Sequence, residues 1–148
     1  MKLMILNGPN INMIGIREKN IYGQITYDEM LTLFQREAHH RGVDILCFQS
    51  NHEGQLVDWI QQAYFDQIDG IIINPAAYTH TSIAILDAIK AIAPLPCVEV
   101  HLSDIEQREE FRKVSFPALG CLKQIAGHGI QGYIEAMDFL IDHYKEKR

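Results

Sequence analysis

Two hydrophobic periods alternate along this chain. Short apolar runs of strand length fall at residues 3–6, 43–49, 70–73 and 97–100, and a fifth is expected within 120–126. They are rich in Ile, Leu, Val and Cys, the pattern of strands buried on both faces of a parallel sheet. Between them, apolar residues recur at helical spacing, which predicts helices over 26–40, 53–66, 81–92 and 130–145. Thr26-Tyr27-Asp28-Glu29 reads as a capping box that starts the first helix, with Leu31, Leu33, Phe34 and Ala38 on its buried side and Gly42 as its stop. Asn74-Pro75 ends the third strand, and Pro94 and Pro96 precede the fourth. A short helix is expected over 105–111.

Strands separated by helices imply parallel pairing through right-handed crossovers. The expected fold is α/β: a flavodoxin-like, doubly wound, five-stranded parallel sheet of order 2-1-3-4-5, in a single catalytic domain over residues 1–148. Ligands of such sheets sit beyond the carboxyl ends of the strands, where the strand order reverses. That rule alone gathers a set of polar residues at one edge. Asn7 and Asn10 follow the first strand, Asn74 and His80 the third, and His101, Ser103 and Arg112 the fourth.

The stretch from Asn7 to Gly23 breaks the strand-helix rhythm. Gly8, Pro9, Gly15 and Gly23 oppose a continuous element. Ile11, Met13, Ile14, Ile16 and Ile21 call for burial, whereas Asn7, Asn10, Asn12, Arg17 and Tyr22 offer hydrogen bonds. A long polar loop with apolar anchors, leaving a strand end, is expected to form the rim or lid of a site.

Composition narrows the class. The net charge of −6, with no basic cluster, argues against nucleic acid, although local arginines still permit a small anionic ligand. Cys47, Cys97 and Cys121 are odd in number and widely spaced, as expected for structural thiols in a reducing cytoplasm. No signal peptide and no membrane span are expected.

Several motifs carry competing readings. Gly127-His128-Gly129-Ile130-Gln131-Gly132 fits G-x-G-x-x-G, but the 16 residues after Gly132 cannot supply the rest of a dinucleotide unit. It is read as a tight turn with close helix-to-strand packing. The seven histidines show no H-E-x-x-H spacing and the cysteines no C-x-x-C pair, so no metal is expected. Strand alternation puts Glu99 and His101 on one side, where a carboxylate would orient the imidazole and favour its protonated form. A structural pair at the sheet end is the competing reading. Arg17 near Tyr22 would favour tyrosinate, or else be an exposed arginine beside an anchoring tyrosine. Ser103 is either a simple N-cap of the short helix or part of an N-terminal carboxylate site. Arg108 and Arg112 would share one face of that helix and either hold an anion or pair with Glu109.

The blocks Asn7-Gly8-Pro9-Asn10-x-Asn12, Gly15-x-Arg17-Glu18 and Tyr22-Gly23 resemble the N-terminal signature of the type II 3-dehydroquinases. Gln49-Ser50-Asn51, Glu53, Asn74, Thr79-His80-Thr81-Ser82, Glu99-Val100-His101-Leu102-Ser103 and Arg108-Glu109-Glu110-Phe111-Arg112 extend the resemblance over almost the whole chain in the family's order. Lys19 stands where the family has proline, and Asp104 where it has asparagine.

The resemblance implies trans dehydration of 3-dehydroquinate to 3-dehydroshikimate through an enolate, without cofactor, metal or covalent lysine. It implies Tyr22 as base, Arg17 holding it as tyrosinate, and Asn10 stabilising the enolate through a water. His101, oriented by Glu99, would be the acid. Asn74, His80 and Arg112 would bind ring hydroxyls, and the backbone at Leu102 and Ser103 the carboxylate. Asp87 would serve a neighbouring subunit's site in a homo-oligomer, a dodecamer of trimers. A non-catalytic flavodoxin-like module that binds a flavin or a partner is the alternative.

Overall fold

A computed structural model describes residues 1–16 and 25–148. Five parallel strands form one sheet: β1 (Lys2–Asn7), β2 (Asp44–Gln49), β3 (Gly70–Asn74), β4 (Cys97–His101) and β5 (Lys123–Ala126). Their order is β2-β1-β3-β4-β5, as the alternation of elements predicts. The carboxyl ends of the central strands are level, because Asn7 is in register with both Gln49 and Asn74. This places Asn7 and Asn74 side by side where the strand order reverses.

Four helices cover the sheet: α1 (Tyr27–His40), α2 (Glu53–Phe65), α3 (Ile83–Ala91) and α4 (Gln131–Glu146). The capping box at α1 forms as read. The Glu29 N–H donates to Thr26 Oγ1 at 3.2 Å, and the Thr26 N–H donates to Glu29 Oε2 at 3.1 Å. Its buried side is Met30, Phe34 and Ala38, one helical turn apart each, with Leu31 and Leu33 half-buried beside them.

Strand alternation divides the core in two. Leu3, Ile5, Ile72, Val98 and Val100 pack with α1 and α4 on one face. Met4, Leu6, Ile71, Ile73 and Cys97 pack with α2 and α3 on the other. On the second face the chain's one tryptophan, Trp59 of α2, stacks on Phe48 of β2 with ring centroids 5.0 Å apart. Among the described residues no helix is long and apolar enough to cross a membrane.

The G-x-G-x-x-G stretch is a turn, as its short downstream chain predicts. Gly127 and Gly129 have φ of +84° and +58°. A Cβ at Gly132 would stand 3.3 Å from Val100 Cγ1 and 3.4 Å from Ile125 Cγ2, so the start of α4 lies directly on the sheet.

Two expectations are corrected. The segment 105–111 is not one helix but two short 3-10 turns, Ile105–Gln107 and Glu110–Arg112, with Arg108 extended between them. The cause is the lack of an apolar face: Ile105 is buried but Phe111 is 64% exposed, so nothing holds a continuous helix down. Burial of the loop's apolar anchors is also only partial. In the 3-10 turn Ile11–Met13 and just after it, Ile11 and Ile14 reach the core, whereas Met13 and Ile16 face outward at 38% and 70% exposure. Ile21 lies outside the described residues.

Candidate active site

Loops leaving β1, β3 and β4 enclose a cleft of about 290 Å³. Its walls bring together Asn10, Asn74, His80, His101, Leu102, Ser103, Arg108 and Arg112. Every one of these was expected at this edge from strand order or resemblance, except that Arg108 was read only as a candidate beside Arg112. Glu99 lies one layer beneath, behind His101. Arg17, Tyr22 and the greater part of the expected lid fall outside the described residues.

The β1 loop is held by close backbone packing against the β3 loop. The Gly8 N–H donates to the Asn74 carbonyl at 2.8 Å. A Cβ on Gly8 would stand 2.5 Å from the Pro75 carbonyl oxygen, so only glycine fits there. Asn10 takes a left-handed φ of 68°, which asparagine tolerates better than most residues, and its N–H donates to Asn51 Oδ1 at 3.1 Å. Asn51 is held in turn by Gln49 Nε2, at 3.2 Å, and by its own carbonyl, which accepts from the Tyr78 hydroxyl at 2.7 Å. Strained backbone facing a cleft is the arrangement expected of a preorganised site.

Asn74 is fixed from both ends of its amide. Its Oδ1 accepts the Ala76 N–H at 3.1 Å, and its Nδ2 donates to the Tyr133 hydroxyl at 3.0 Å. The Tyr133 hydroxyl donates onward to Asn7 Oδ1 at 2.6 Å. Burial pushes this hydroxyl's pKa up, against the pull of the Asn74 bond, so it acts as a neutral relay between two amides. The Tyr133 ring rests on Phe34, 4.6 Å between centroids, so α4 carries the relay into the core. Tyr133→Phe keeps that packing and removes the bridge. It should lower stability by about 1–3 kcal/mol, read as a lower denaturation midpoint, because two buried amides lose a partner. An unchanged midpoint would show that the relay is dispensable.

Across the cleft, His101 Nε2 lies 2.9 Å from Glu99 Oε2, with His101 5% exposed and Glu99 wholly buried. A carboxylate accepts, so Nε2 carries the proton and Nδ1 is the nitrogen left for a ligand. Burial alone would raise the Glu99 pKa, but hydrogen bonds from His101, Gln124 and Ser115 outweigh it and hold the carboxyl below its ordinary range. Glu99 therefore stays ionised and fixes the orientation of the imidazole beside it.

His80 is a different histidine. Its Nδ1 donates to the Val114 carbonyl at 2.7 Å. Burial, joined by the nearby His101 and Arg112 charges, lowers its pKa. It is neutral near pH 7 and presents Nε2 as an acceptor.

Ser103 does not cap the turn after β4. Asp104 does, accepting the Glu106 N–H at 3.0 Å. The Leu102 and Ser103 carbonyls instead accept from Gly129 and Gly127 N–H, at 3.0 and 3.1 Å. A trans peptide then aims the Ser103 N–H away from that glycine turn.

Arg112 Nε donates to Glu109 Oε2 at 2.6 Å while still lining the cleft, so it combines the two readings of the sequence. Since 105–111 is not one helix, Arg108 and Arg112 meet at the cleft through two separate turns rather than a shared helical face. Asp87 is exposed on α3 and lies outside this cleft.

Sequence reasoning missed the supports behind these residues. Tyr133, Ser115 and Gln124 were not singled out, and Asn51 was quoted only within a motif. For Gln124 a signal existed, since a buried Glu99 in an apolar strand needs donors and the neighbouring edge strand supplies one amide.

Fold and cleft together define a flavodoxin-like α/β protein whose buried carboxylate-imidazole pair opens on a small polar site at the switch in strand order. The chain belongs to the class II dehydroquinases, whose family profile matches residues 1–141. It is 52% identical over 147 residues to a 3-dehydroquinate dehydratase of Clostridium perfringens strain 13, covering 99% of this chain and all of that one. A 3-dehydroquinate dehydratase of Lachnospira eligens is 47% identical over 142 residues, 96% of this chain and 97% of its own. The crystal structure of a type II dehydroquinase from Butyrivibrio crossotus superposes with a TM-score of 0.94 at 47% identity, covering 95% of this chain and 97% of its own.

Proposed function

We propose that this chain is a hydro-lyase that removes water from 3-dehydroquinate, giving 3-dehydroshikimate by trans elimination through an enolate. The observation that carries the reading is the buried Glu99-His101 pair, 2.9 Å apart, at a cleft that also holds two arginines. An ionised carboxylate behind an imidazole makes a proton donor, and the arginines suit an anionic substrate. Family membership supplies the substrate.

In this reading Tyr22 takes the proton next to the ketone. Arg17 holds it as tyrosinate, since a neighbouring cation lowers a phenol's pKa. Asn10, held in its left-handed turn by Asn51, stabilises the enolate oxygen through a water. His101 gives its proton to the departing hydroxyl, which leaves as water, and Glu99 retains the imidazole orientation throughout. Asn74, His80 and Arg112 bind ring hydroxyls. His80 suits that role as a neutral acceptor, and Asn74 because its amide orientation is fixed. The Leu102-Ser103 backbone holds the carboxylate.

The test is direct. Purified protein with 3-dehydroquinate should develop the absorbance of a conjugated enone, unaffected by chelator or by borohydride added with substrate. No absorbance change would overturn the reading, and borohydride inactivation would replace the enolate route with a lysine mechanism.

Asp87 is proposed to complete a neighbouring subunit's site in a closed homo-oligomer, a dodecamer of trimers. Its exposure away from its own cleft supports this, as do the exposed apolar Ile83 and Leu119, at 56% and 71%, on packed elements. A solution mass equal to one 16.9 kDa chain would defeat it. The cytoplasm is the proposed compartment, on the free state of all three cysteines.

A further inference from the structure

The Glu99 carboxylate is wholly buried, yet it is not held by His101 alone. Gln124 Nε2 donates to Oε2 at 2.6 Å. Ser115 Oγ lies 2.8 Å from Oε1 and 2.9 Å from Oε2, so its single hydrogen is shared between the two oxygens. Ser115 Oγ in turn accepts the Ala118 N–H at 3.2 Å, which fixes the hydroxyl from behind. These donors come from three segments: His101 along β4, Gln124 across the sheet from β5, and Ser115 from the loop between the 3-10 turns Glu110–Arg112 and Pro117–Gly120. The β4-β5 register explains the second, because Glu99 and Gln124 are direct partners in the ladder.

We infer that Gln124 and Ser115 are positioning residues for the acid step, acting through Glu99 to keep it ionised and to set the plane of His101. This deepens the reading of His101 as the proton donor and rests on it. A carboxylate has four lone-pair directions. His101, Gln124 and Ser115 crowd Oε2, and Ser115 also covers Oε1. A proton on Glu99 would displace one of these donors, so the crowd disfavours the neutral acid. Each donor also fixes the carboxylate plane, and with it the imidazole. Comparable supports behind metal-ligating side chains cost about 10- to 100-fold when removed.

Neither residue lines the cleft, so neither should affect substrate binding. Gln124 is an exposed residue of the edge strand, so its loss leaves no core cavity. That separates a positioning role from a structural one.

Among the described residues, the other titratable groups around Glu99 are Cys97 and His101 on its own strand, together with His80, which senses its charge from the turn after β3. The thiol is neutral because its partner Cys121, together with burial, pushes it up, and His80 is neutral for the reasons given above. Glu99 thus remains the carboxyl on which the donors act.

The experiment compares Gln124→Met and Ser115→Ala with Ser115→Thr, which keeps the hydroxyl, and with His101→Gln. Turnover of 3-dehydroquinate is followed across pH. Gln124→Met should lower kcat about tenfold, the loss expected for one hydrogen bond to a charged group, with KM unchanged. The acidic limb of its kcat profile should move to higher pH, because a carboxylate robbed of a donor protonates sooner. Ser115→Ala should behave alike, and Ser115→Thr should restore kcat. Wild-type kcat and an unmoved acidic limb in both Gln124→Met and Ser115→Ala, with His101→Gln inactive, would overturn the inference while leaving the acid assignment intact. A fully active His101→Gln would remove the acid assignment, and the inference with it. A loss confined to thermal stability, with an unmoved pH profile, would make the two residues structural and also overturn it.

Discussion

Tyr22→Phe is expected to lower kcat by about 100- to 10,000-fold, the usual range for loss of a general base. The change deletes one hydroxyl and keeps an aromatic ring, so it removes little packing. Within the same loop Arg17 stays protonated and Asn20 is not basic, so neither can take over. Arg17→Ala should also cost heavily, since an unassisted phenol with a pKa near 10 is mostly protonated at neutral pH. The two variants then differ in a useful way. Raising the pH should recover part of the Arg17→Ala rate, by ionising the phenol without help, and none of the Tyr22→Phe rate. A Tyr22→Phe protein within a few-fold of wild type would sink the assignment.

His101→Gln should be comparably damaging, again by about 100- to 10,000-fold in kcat. Glutamine can still donate an amide hydrogen toward Glu99, so the buried carboxylate keeps a partner and the fold should survive. What it cannot do is release a proton to a departing hydroxyl. A second readout comes from acid denaturation. The Glu99 pKa is lower in the folded protein than in the unfolded chain. Such a group adds stability above its unfolded value, and that stability is lost as pH falls through the folded value. Replacing His101 by a neutral amide removes its coulombic pull on Glu99 and so reduces the depression, so unfolding should begin at higher pH in the variant. Wild-type turnover in His101→Gln would reject the acid role, whatever the denaturation shows.

The sheet was legible because β1 to β4 are short apolar runs and the first three are each followed by a helix, and the order 2-1-3-4-5 is one that parallel pairing through right-handed crossovers allows. Strand order then carried Asn10, Asn74, His80 and His101 to one cleft without any contact being known. The stretch after β4 was not legible. Its charged residues fit a helix by propensity, but a helix needs an apolar face to bury, and Ile105 alone does not make one. Met13 and Ile16 were misjudged for the converse reason. Hydrophobicity signals a wish for burial, not a position that can reach the core. The supports were hardest to see. Tyr133 reads as one more apolar position on α4, and only the folded chain shows its hydroxyl joining Asn7 to Asn74. For Gln124 the need of Glu99 for donors was the signal, and the register that sets the two opposite each other completes it.

The stacking of Trp59 on Phe48 decides what light can report about this molecule. With one tryptophan in the chain, its emission has a single source, and that source is locked by α2 against β2. Neither ring lines the cleft. Emission will therefore follow the cooperative loss of the α2 side of the core and stay constant while a ligand fills the site. Fluorescence is thus a clean reporter of unfolding, whereas occupancy is better read from the absorbance of the ligand itself.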